Sequence, residues 1–139
     1  MKKTRLLNSE ISYEIARIGH TSHLTICDAG LPIPKDVKRI DLAVEQNLPR
    51  FIDVLKPVIS EMEVEEIVLA TEIKEKNQDV LNKIYESFKE IGKEVNKNLK
   101  VTFVSHEDLK LLTKNSVAIV RTGECTPYAN IILKSGVVF

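Results

Sequence analysis

Apolar positions follow a helical period in some segments and form short continuous runs in others. Ile11, Ile15 and Ile18 recur three or four residues apart, which predicts a helix that begins at Asn8 or Ser9. The same spacing, together with capping residues, predicts three further helices: one after Pro49, a longer one from Asn77 to Gly92, and a short one that Ser105 caps, from His106 to about Leu112.

Segments rich in apolar residues between these helices predict strands. They cover residues 24–27, 40–44, 64–71, 99–104 and 117–120, and residues 67–70 form a near-continuous apolar run. At the end of the chain, residues 131–133 and 137–139 predict a hairpin that turns at residues 134–136. Pro57 lies inside the helix after Pro49 and is expected to kink or split it near Lys56.

Strands that alternate with helices predict an α/β fold with helices on both faces of the sheet. The terminal hairpin predicts a mixed sheet rather than a purely parallel one. A chain of 139 residues is long enough for one domain and its own core. We therefore expect a single domain over residues 1–139.

The composition argues against several classes of protein. Twenty basic residues balance twenty acidic ones, so no excess charge indicates binding to nucleic acid or to an anionic membrane. No run approaches the ~18 apolar residues of a membrane-spanning helix. Two cysteines make no disulfide framework, and no apolar segment follows the basic residues at the start. We expect a cytoplasmic protein with both thiols free.

Two polar stretches stand out, at residues 19–34 and 121–130. His20 follows a glycine at the end of a helix, and Asp28 follows a buried strand. Ligands of open α/β sheets bind at the carboxyl ends of strands. We expect the two stretches to meet and to form a small polar pocket.

Five residues are candidates for chemistry in this pocket, and each has a structural alternative. His20 suits proton transfer at neutral pH, or is simply hydrogen-bonded in a loop. Asp28 is a functional carboxylate or a turn residue. His106 binds a ligand hydroxyl or lies on the surface in the first turn of a helix. Tyr128 and Asn130 alternate along an incipient strand, so their side chains point to the same side and can bind sugar hydroxyls together. The alternative is that Tyr128 packs at the start of that strand.

Other kinds of site have little support. The histidines, Asp28 and two cysteines supply metal-ligand types, but no pair has a spacing typical of a metal site. The five glycines are scattered, so no phosphate loop is predicted, and no serine lies in a nucleophile motif. Cys27 and Cys125 are interpreted as small buried apolar residues. We expect neither a metal nor a cofactor.

Several segments together resemble the ribose pyranase and fucose mutarotase family, RbsD/FucU. They are residues 8–11, 19–21, 27–34, 39–41 and 123–131, of which Cys-Asp-Ala-Gly-Leu-Pro-Ile-Pro and Gly-Glu-Cys-Thr-Pro-Tyr-Ala-Asn-Ile are the most specific. The resemblance covers the whole chain. It implies a three-layer α/β/α sandwich with a mixed sheet, and a homo-oligomeric ring, an octamer or decamer, with its pocket near a subunit interface. It also implies an isomerase without a cofactor, which interconverts the pyranose and furanose forms of D-ribose and supplies ribokinase.

The resemblance also assigns roles to residues. His20 matches the family's catalytic acid, and the residues that match its sugar-binding positions are Asp28, His106, Tyr128 and Asn130, with Lys110 as a further contributor. The family usually reads Gly-His-Thr-Asp where this chain has Ser22. If that missing carboxylate orients the histidine, activity should be weaker here. Two alternatives stay open: a non-catalytic sugar-binding or regulatory module, and a fucose mutarotase that exchanges anomers. The ribose-type loop at residues 28–34 favours ribose.

Overall fold

A computed structural model describes all 139 residues of the chain. It contains five helices and six strands, in the chain order α1 Ser9–Arg17, β1 His23–Cys27, β2 Lys38–Asp41, α2 Phe51–Ile59, β3 Val64–Ala70, α3 Ile73–Lys76, α4 Gln78–Glu90, β4 Lys100–Val104, α5 His106–Leu112, β5 Ser116–Arg121 and β6 Ile131–Ser135. A 3₁₀ turn, Thr113–Asn115, joins α5 to β5. No helix is both long and apolar enough to cross a membrane.

The strands form one mixed sheet in the order β2-β5-β1-β6-β3-β4. Five strands run in one direction, and β6 lies between β1 and β3, antiparallel to both. We call the edge where the five parallel strands end the carboxyl edge, and the opposite one the amino edge. Because β6 runs the other way, the chain enters β6 at the carboxyl edge and leaves it at the amino edge.

Alternating side chains of the central strands pack into two separate cores, one on each face of the sheet. Leu24 and Ile26 of β1 join the larger core with residues of α1, α2 and α4. Cys27 of the same strand joins the smaller core, where Leu109 of α5 packs. This two-sided packing is the helix-on-both-faces arrangement that the alternation of elements predicted.

The predicted terminal hairpin is wrong. Residues 134 and 135 continue β6 instead of turning, and residues 137–139 form no strand. The backbone N–H of Ser135 donates to the carbonyl oxygen of Ser22, and Ser135 lies opposite Val64 of β3. With partners on both sides, β6 has no free edge for a hairpin strand. The mixed character of the sheet is correct, but it comes from an internal strand.

Local signals were more reliable than the terminal pairing. Asn77 and Ser105 cap their helices through the backbone N–H groups of Val80 and Asp108. Helix α2 continues through Pro57 to residue 59, so the predicted alternative of a split helix is wrong. Strand β2 ends at residue 41 instead of residue 44.

Candidate functional site

Asp28 and Asn130 meet at the carboxyl edge and hold each other in a reciprocal pair. The backbone N–H of Asp28 donates to Oδ1 of Asn130 at 2.9 Å, and Nδ2 of Asn130 donates to Oδ2 of Asp28 at 3.0 Å. The N–H of Gly30 donates to Oδ1 of Asp28 at 3.0 Å. Burial raises the pKa of Asp28 above its usual range, against the opposing effect of these donors. The two polar stretches do meet, as the sequence predicts.

The end of β5 fixes the loop around Asp28. Nε of Arg121 donates to the carbonyl oxygen of Ala29 at 3.1 Å, and the same guanidinium binds the carboxylate of Asp41. The hydroxyl of Thr122 donates to the carbonyl oxygen of Cys27 at 2.8 Å. The backbone on both sides of Asp28 is therefore held by residues at the end of β5, while its carboxylate accepts from Gly30 and Asn130.

His106 and Tyr128 form the second part of the same cluster. Their rings meet edge to face with centroids 5.1 Å apart. The backbone N–H of His106 donates to the carboxylate of Glu72, which fixes the start of α5. Nδ1 of the His106 ring is buried and has no hydrogen-bond partner in the chain. A buried polar atom without a partner is costly, but Nδ1 of His23 at the amino edge is in the same state, so it is the contact with Tyr128 that distinguishes His106.

The predicted geometry of Tyr128 and Asn130 is wrong in one respect. Strand β6 begins at Ile131, so neither residue lies in a strand. Tyr128 lies in a turn with a φ of 59°, and its carbonyl oxygen accepts from the N–H of Asn130 at 2.9 Å. The two residues reach one cluster because the chain reverses there before it enters β6, not through strand alternation.

Lys110 lies beside this cluster on α5, one turn after His106. Its ammonium group pairs with the carboxylate of Glu107 at 2.6 Å. It lines a groove of about 330 Å³ together with the loop 32–34. A different depression, of about 400 Å³, contains Asp28 and residues 124–127. Lys110 therefore neighbours the polar cluster without lining the depression that contains Asp28.

His20 lies at the opposite, amino edge of the sheet. It is at a corner of a tight turn, in which the N–H of Ser22 donates to the carbonyl oxygen of Gly19. Its side chain is 52% exposed, and Nε2 of its ring lies 3.0 Å from Oε2 of Glu65. Strand β1 separates His20 from Asp28. Five residues of strand span roughly 16 Å, so one chain does not bring these two groups together.

Backbone strain marks both halves of the predicted site. Four residues other than glycine have a positive φ, and two of them are asparagines, which tolerate it well. The other two are Thr21, with a φ of 66°, and Tyr128. A β-branched threonine in this region is unusual, and strain of this kind clusters at functional sites. Thr21 directly follows His20, and its N–H donates to the carbonyl oxygen of Ser135 at 2.8 Å.

Sequence reasoning missed the residues that support the loop 124–128. The carboxylate of Glu124 is buried and accepts from the N–H of Phe51, at the start of α2, and from the hydroxyl of Thr126. Nδ2 of Asn77 donates to the hydroxyl of Thr126 and to the carbonyl oxygen of Pro127. Asn77 was visible only as a helix cap. Nothing local in the sequence indicates these long-range partners.

The two cysteines differ in environment. Cys27 is buried, and burial raises the pKa of its thiol to about 12, in agreement with an inert core residue. Cys125 is exposed, so its predicted burial is wrong. No three histidine, cysteine, aspartate or glutamate side chains lie close enough to share a metal ion.

The fold and the site define a class of protein: a three-layer α/β/α sandwich whose sheet carries a cluster of polar side chains at one edge and a histidine at the other. The chain belongs to the RbsD / FucU transport protein family, whose model matches residues 1–138. It is 58% identical over 142 residues to a D-ribose pyranase of Rhodopirellula baltica, with all of both chains covered.

Solved structures agree with this membership. The structure of Bacillus subtilis RbsD complexed with D-ribose superposes with a TM-score of 0.89 at 43% identity, over all of both chains. A fucose mutarotase from Streptococcus pneumoniae, in complex with L-fucose, superposes with a TM-score of 0.80 over 95% of this chain and 94% of that chain. Its identity of 22% supports the shared fold alone.

Proposed function

We propose that this chain is a D-ribose pyranase, an isomerase that interconverts the β-pyranose and β-furanose forms of D-ribose. The observation that carries the proposal is the cluster of Asp28, Asn130, His106 and Tyr128 in a chain that matches a D-ribose pyranase over its full length. The higher identity to the structure that holds D-ribose, 43% against 22% for the one that holds L-fucose, favours ribose over fucose.

A complete site requires two copies of the chain. Asp28 and His20 lie at opposite edges of the sheet, so a sugar held by Asp28 meets the His20 of a neighbouring copy. Different surfaces of the two copies meet in such a contact, and contacts of this heterologous kind can close into rings. We therefore propose a homo-oligomeric ring of eight or ten copies with the sugar bound at the interface.

The reaction needs one proton donor and one proton acceptor. We assign the donor to His20 and the acceptor to Asp28, whose raised pKa makes it a better base than an ordinary aspartate. The bond between the anomeric carbon and the ring oxygen breaks, and the ring oxygen takes a proton from His20. The anomeric hydroxyl gives its proton to Asp28, and its electrons form the carbonyl group.

Ring closure reverses these transfers through a different hydroxyl. That hydroxyl attacks the carbonyl carbon and gives its proton to the now neutral His20, while the carbonyl oxygen recovers the proton from Asp28. The site returns to its starting state, so no cofactor is consumed. The amide of Asn130 holds Asp28 in place, and His106 and Tyr128 bind the sugar through Nδ1 and the phenol. Lys110 contributes from the adjacent groove.

In the cell, we place the enzyme in the cytoplasm, where its furanose product supplies ribokinase. Both cysteines are free, as is usual in a reducing compartment. The whole chain, residues 1–139, acts as one domain around the single sheet.

Saturation-transfer proton NMR on the anomeric signals of D-ribose tests the proposal. Catalytic amounts of protein should transfer saturation between pyranose and furanose signals, and His20→Ala should reduce the rate by about 10²–10⁴-fold, the usual contribution of a general acid. The matched control is His23→Gln, which changes a nearby histidine outside the site. No exchange above buffer, with ribose still bound, would instead indicate a sugar-binding module.

A further inference from the structure

We propose that Glu65 is the positioning residue for the catalytic acid. Its carboxylate accepts from Nε2–H of His20 and so presents the other ring nitrogen, Nδ1, to the sugar. This inference rests on the proposed function, since His20 must act as the acid for its orientation to matter. It adds a residue that the family resemblance did not assign.

The contact itself is direct. Oε2 of Glu65 lies 3.0 Å from Nε2 of His20, within the range of an N–H···O hydrogen bond. Nδ1 of His20 has no hydrogen-bond partner in the chain. An imidazole whose one nitrogen donates to a carboxylate is held in one tautomer and one orientation, and its other nitrogen is free for proton transfer.

A β-bulge places Glu65 where it can make this contact. Val64 pairs with Ser135 of β6, but Glu66 pairs with Lys134, so Glu65 is an extra residue on β3. Bulges redirect side chains and are common beside active sites. Here the bulged residue is exposed at the amino edge, while its neighbours on both sides are buried.

Strand β6, which pairs with β3 at the bulge, also holds the turn that carries His20. The N–H of Thr21 donates to the carbonyl oxygen of Ser135, and the N–H of Ser135 donates to the carbonyl oxygen of Ser22. Ser135 thus bonds the turn on one side and pairs with Val64, next to Glu65, on the other. The carboxylate of Glu65 and the imidazole of His20 are thus both held by contacts with strand β6, which favours a constant distance and orientation between them.

Position 22 does not compete for this role. Ser22 lines a cavity of about 330 Å³ together with Arg17 and Lys38, whereas His20 lines a separate cavity with residues 135–139. A carboxylate at position 22 would therefore share its cavity with Arg17 and with the ion pair of Lys38 and Glu14, and not with His20. The serine in this chain leaves His20 with the carboxylate of Glu65, so we do not expect it to abolish activity.

The test is Glu65→Gln, with Glu90→Gln as the matched control. Glu90 is a similarly exposed carboxylate that pairs with Lys56 at 2.9 Å, and it lies outside the cavity that His20 lines. Because Glu65 does not touch the sugar in this arrangement, we expect kcat for ribose exchange to fall on the order of 10–100-fold, as for other supporting partners of a functional histidine. KM should stay within about twofold in the same scheme.

Nitrogen chemical shifts of the histidine rings give a readout independent of activity. The signals of His20 are assigned by their absence in His20→Ala. In the wild type, the neutral ring should carry its proton on Nε2, and Glu65→Gln should shift it toward a mixture of tautomers. Glu90→Gln should change neither kcat nor the tautomer.

Three results would overturn the proposal: an unchanged kcat in Glu65→Gln, an unchanged tautomer, or an equal loss in Glu90→Gln. A failure of the proposed function would look different. In that case the wild type itself would exchange no ribose, and no acid would need positioning, whatever the tautomer of His20.

Discussion

Two inactive variants should restore activity to each other if the site is shared between copies of the chain. His20→Ala removes the acid from the amino edge, and Asp28→Asn removes the carboxylate from the carboxyl edge. Each homogeneous oligomer then lacks one half of every site. In a mixed oligomer, an intact His20 from one variant can face an intact Asp28 from the other.

The expected recovery follows from the geometry. Because strand β1 keeps the two groups roughly 16 Å apart in one chain, every site takes its histidine and its aspartate from different chains. In a random mixture of equal amounts, half of the chains supply each intact group. About a quarter of the sites should therefore be complete. The recovered rate per protomer should approach the same fraction of the wild-type rate.

A second pair of variants serves as the control. Asp28→Asn and His106→Ala both alter the carboxyl-edge cluster, which belongs to one chain. Within that chain, His106 is close enough to Asp28 to lower the pKa of its carboxyl group. Every site in their mixture carries one altered residue, so no activity should return. Native mass spectrometry verifies that mixed oligomers have formed, and ribose exchange is measured by saturation-transfer NMR. Mixed oligomers of the first pair that stay inactive would refute the shared site, and recovery in the control pair would contradict the assignment of the cluster to one chain.

Three further predictions concern pH and stability. Burial raises the pKa of Asp28, so exchange should decline on acidification at a pH above the value of about 4 that is usual for aspartate; a pH–rate profile without this shift would contradict its role as the base. Because the pKa of Asp28 is higher in the folded than in the unfolded chain, Asp28 stabilises the fold at a pH below its unfolded pKa, and this contribution is lost as the pH rises through its folded pKa. Urea unfolding at several pH values, compared with Asp28→Asn, measures this loss. A methyl group on Gly123 would lie 2.6 Å from two backbone oxygens, so Gly123→Ala should lower the free energy of unfolding by about 1–3 kcal/mol. Gly19→Ala, with open space around the added methyl group, is the control, and equal effects of the two would refute the packing argument.

Local signals in the sequence were sufficient for most of the fold. Asn77 and Ser105 are followed three residues later by the backbone N–H groups that they cap, and a cap of this kind depends only on nearby residues. The apolar runs that became strands β1, β3 and β5 were also readable, because strands buried on both faces are continuously apolar. The place of β6 was not readable, since nothing local in residues 131–139 distinguishes a hairpin from an internal strand.

The candidate site divides in the same way. That Asp28 would meet Asn130 could be predicted, because the carboxyl ends of strands share one edge of a sheet and the two polar stretches flank strands. That His20 would lie elsewhere could not be read from its place in the same polar stretch as Asp28. The two residues are only eight positions apart in the sequence, which suggests that they are neighbours in space. The extended path of strand β1 between them instead places them at opposite edges of the sheet.

The contact between Glu65 and His20 was beyond sequence reasoning for a related reason. It depends on a one-residue register shift between β3 and β6, and a shift of one residue reverses the side to which a strand residue points. Two adjacent glutamates at positions 65 and 66 look equivalent in the sequence. In the fold, Glu66 is buried and binds Lys134, while Glu65 reaches the imidazole. The bulge decides which of the two carboxylates reaches the histidine, and a bulge is a property of strand pairing that no single segment of this chain encodes.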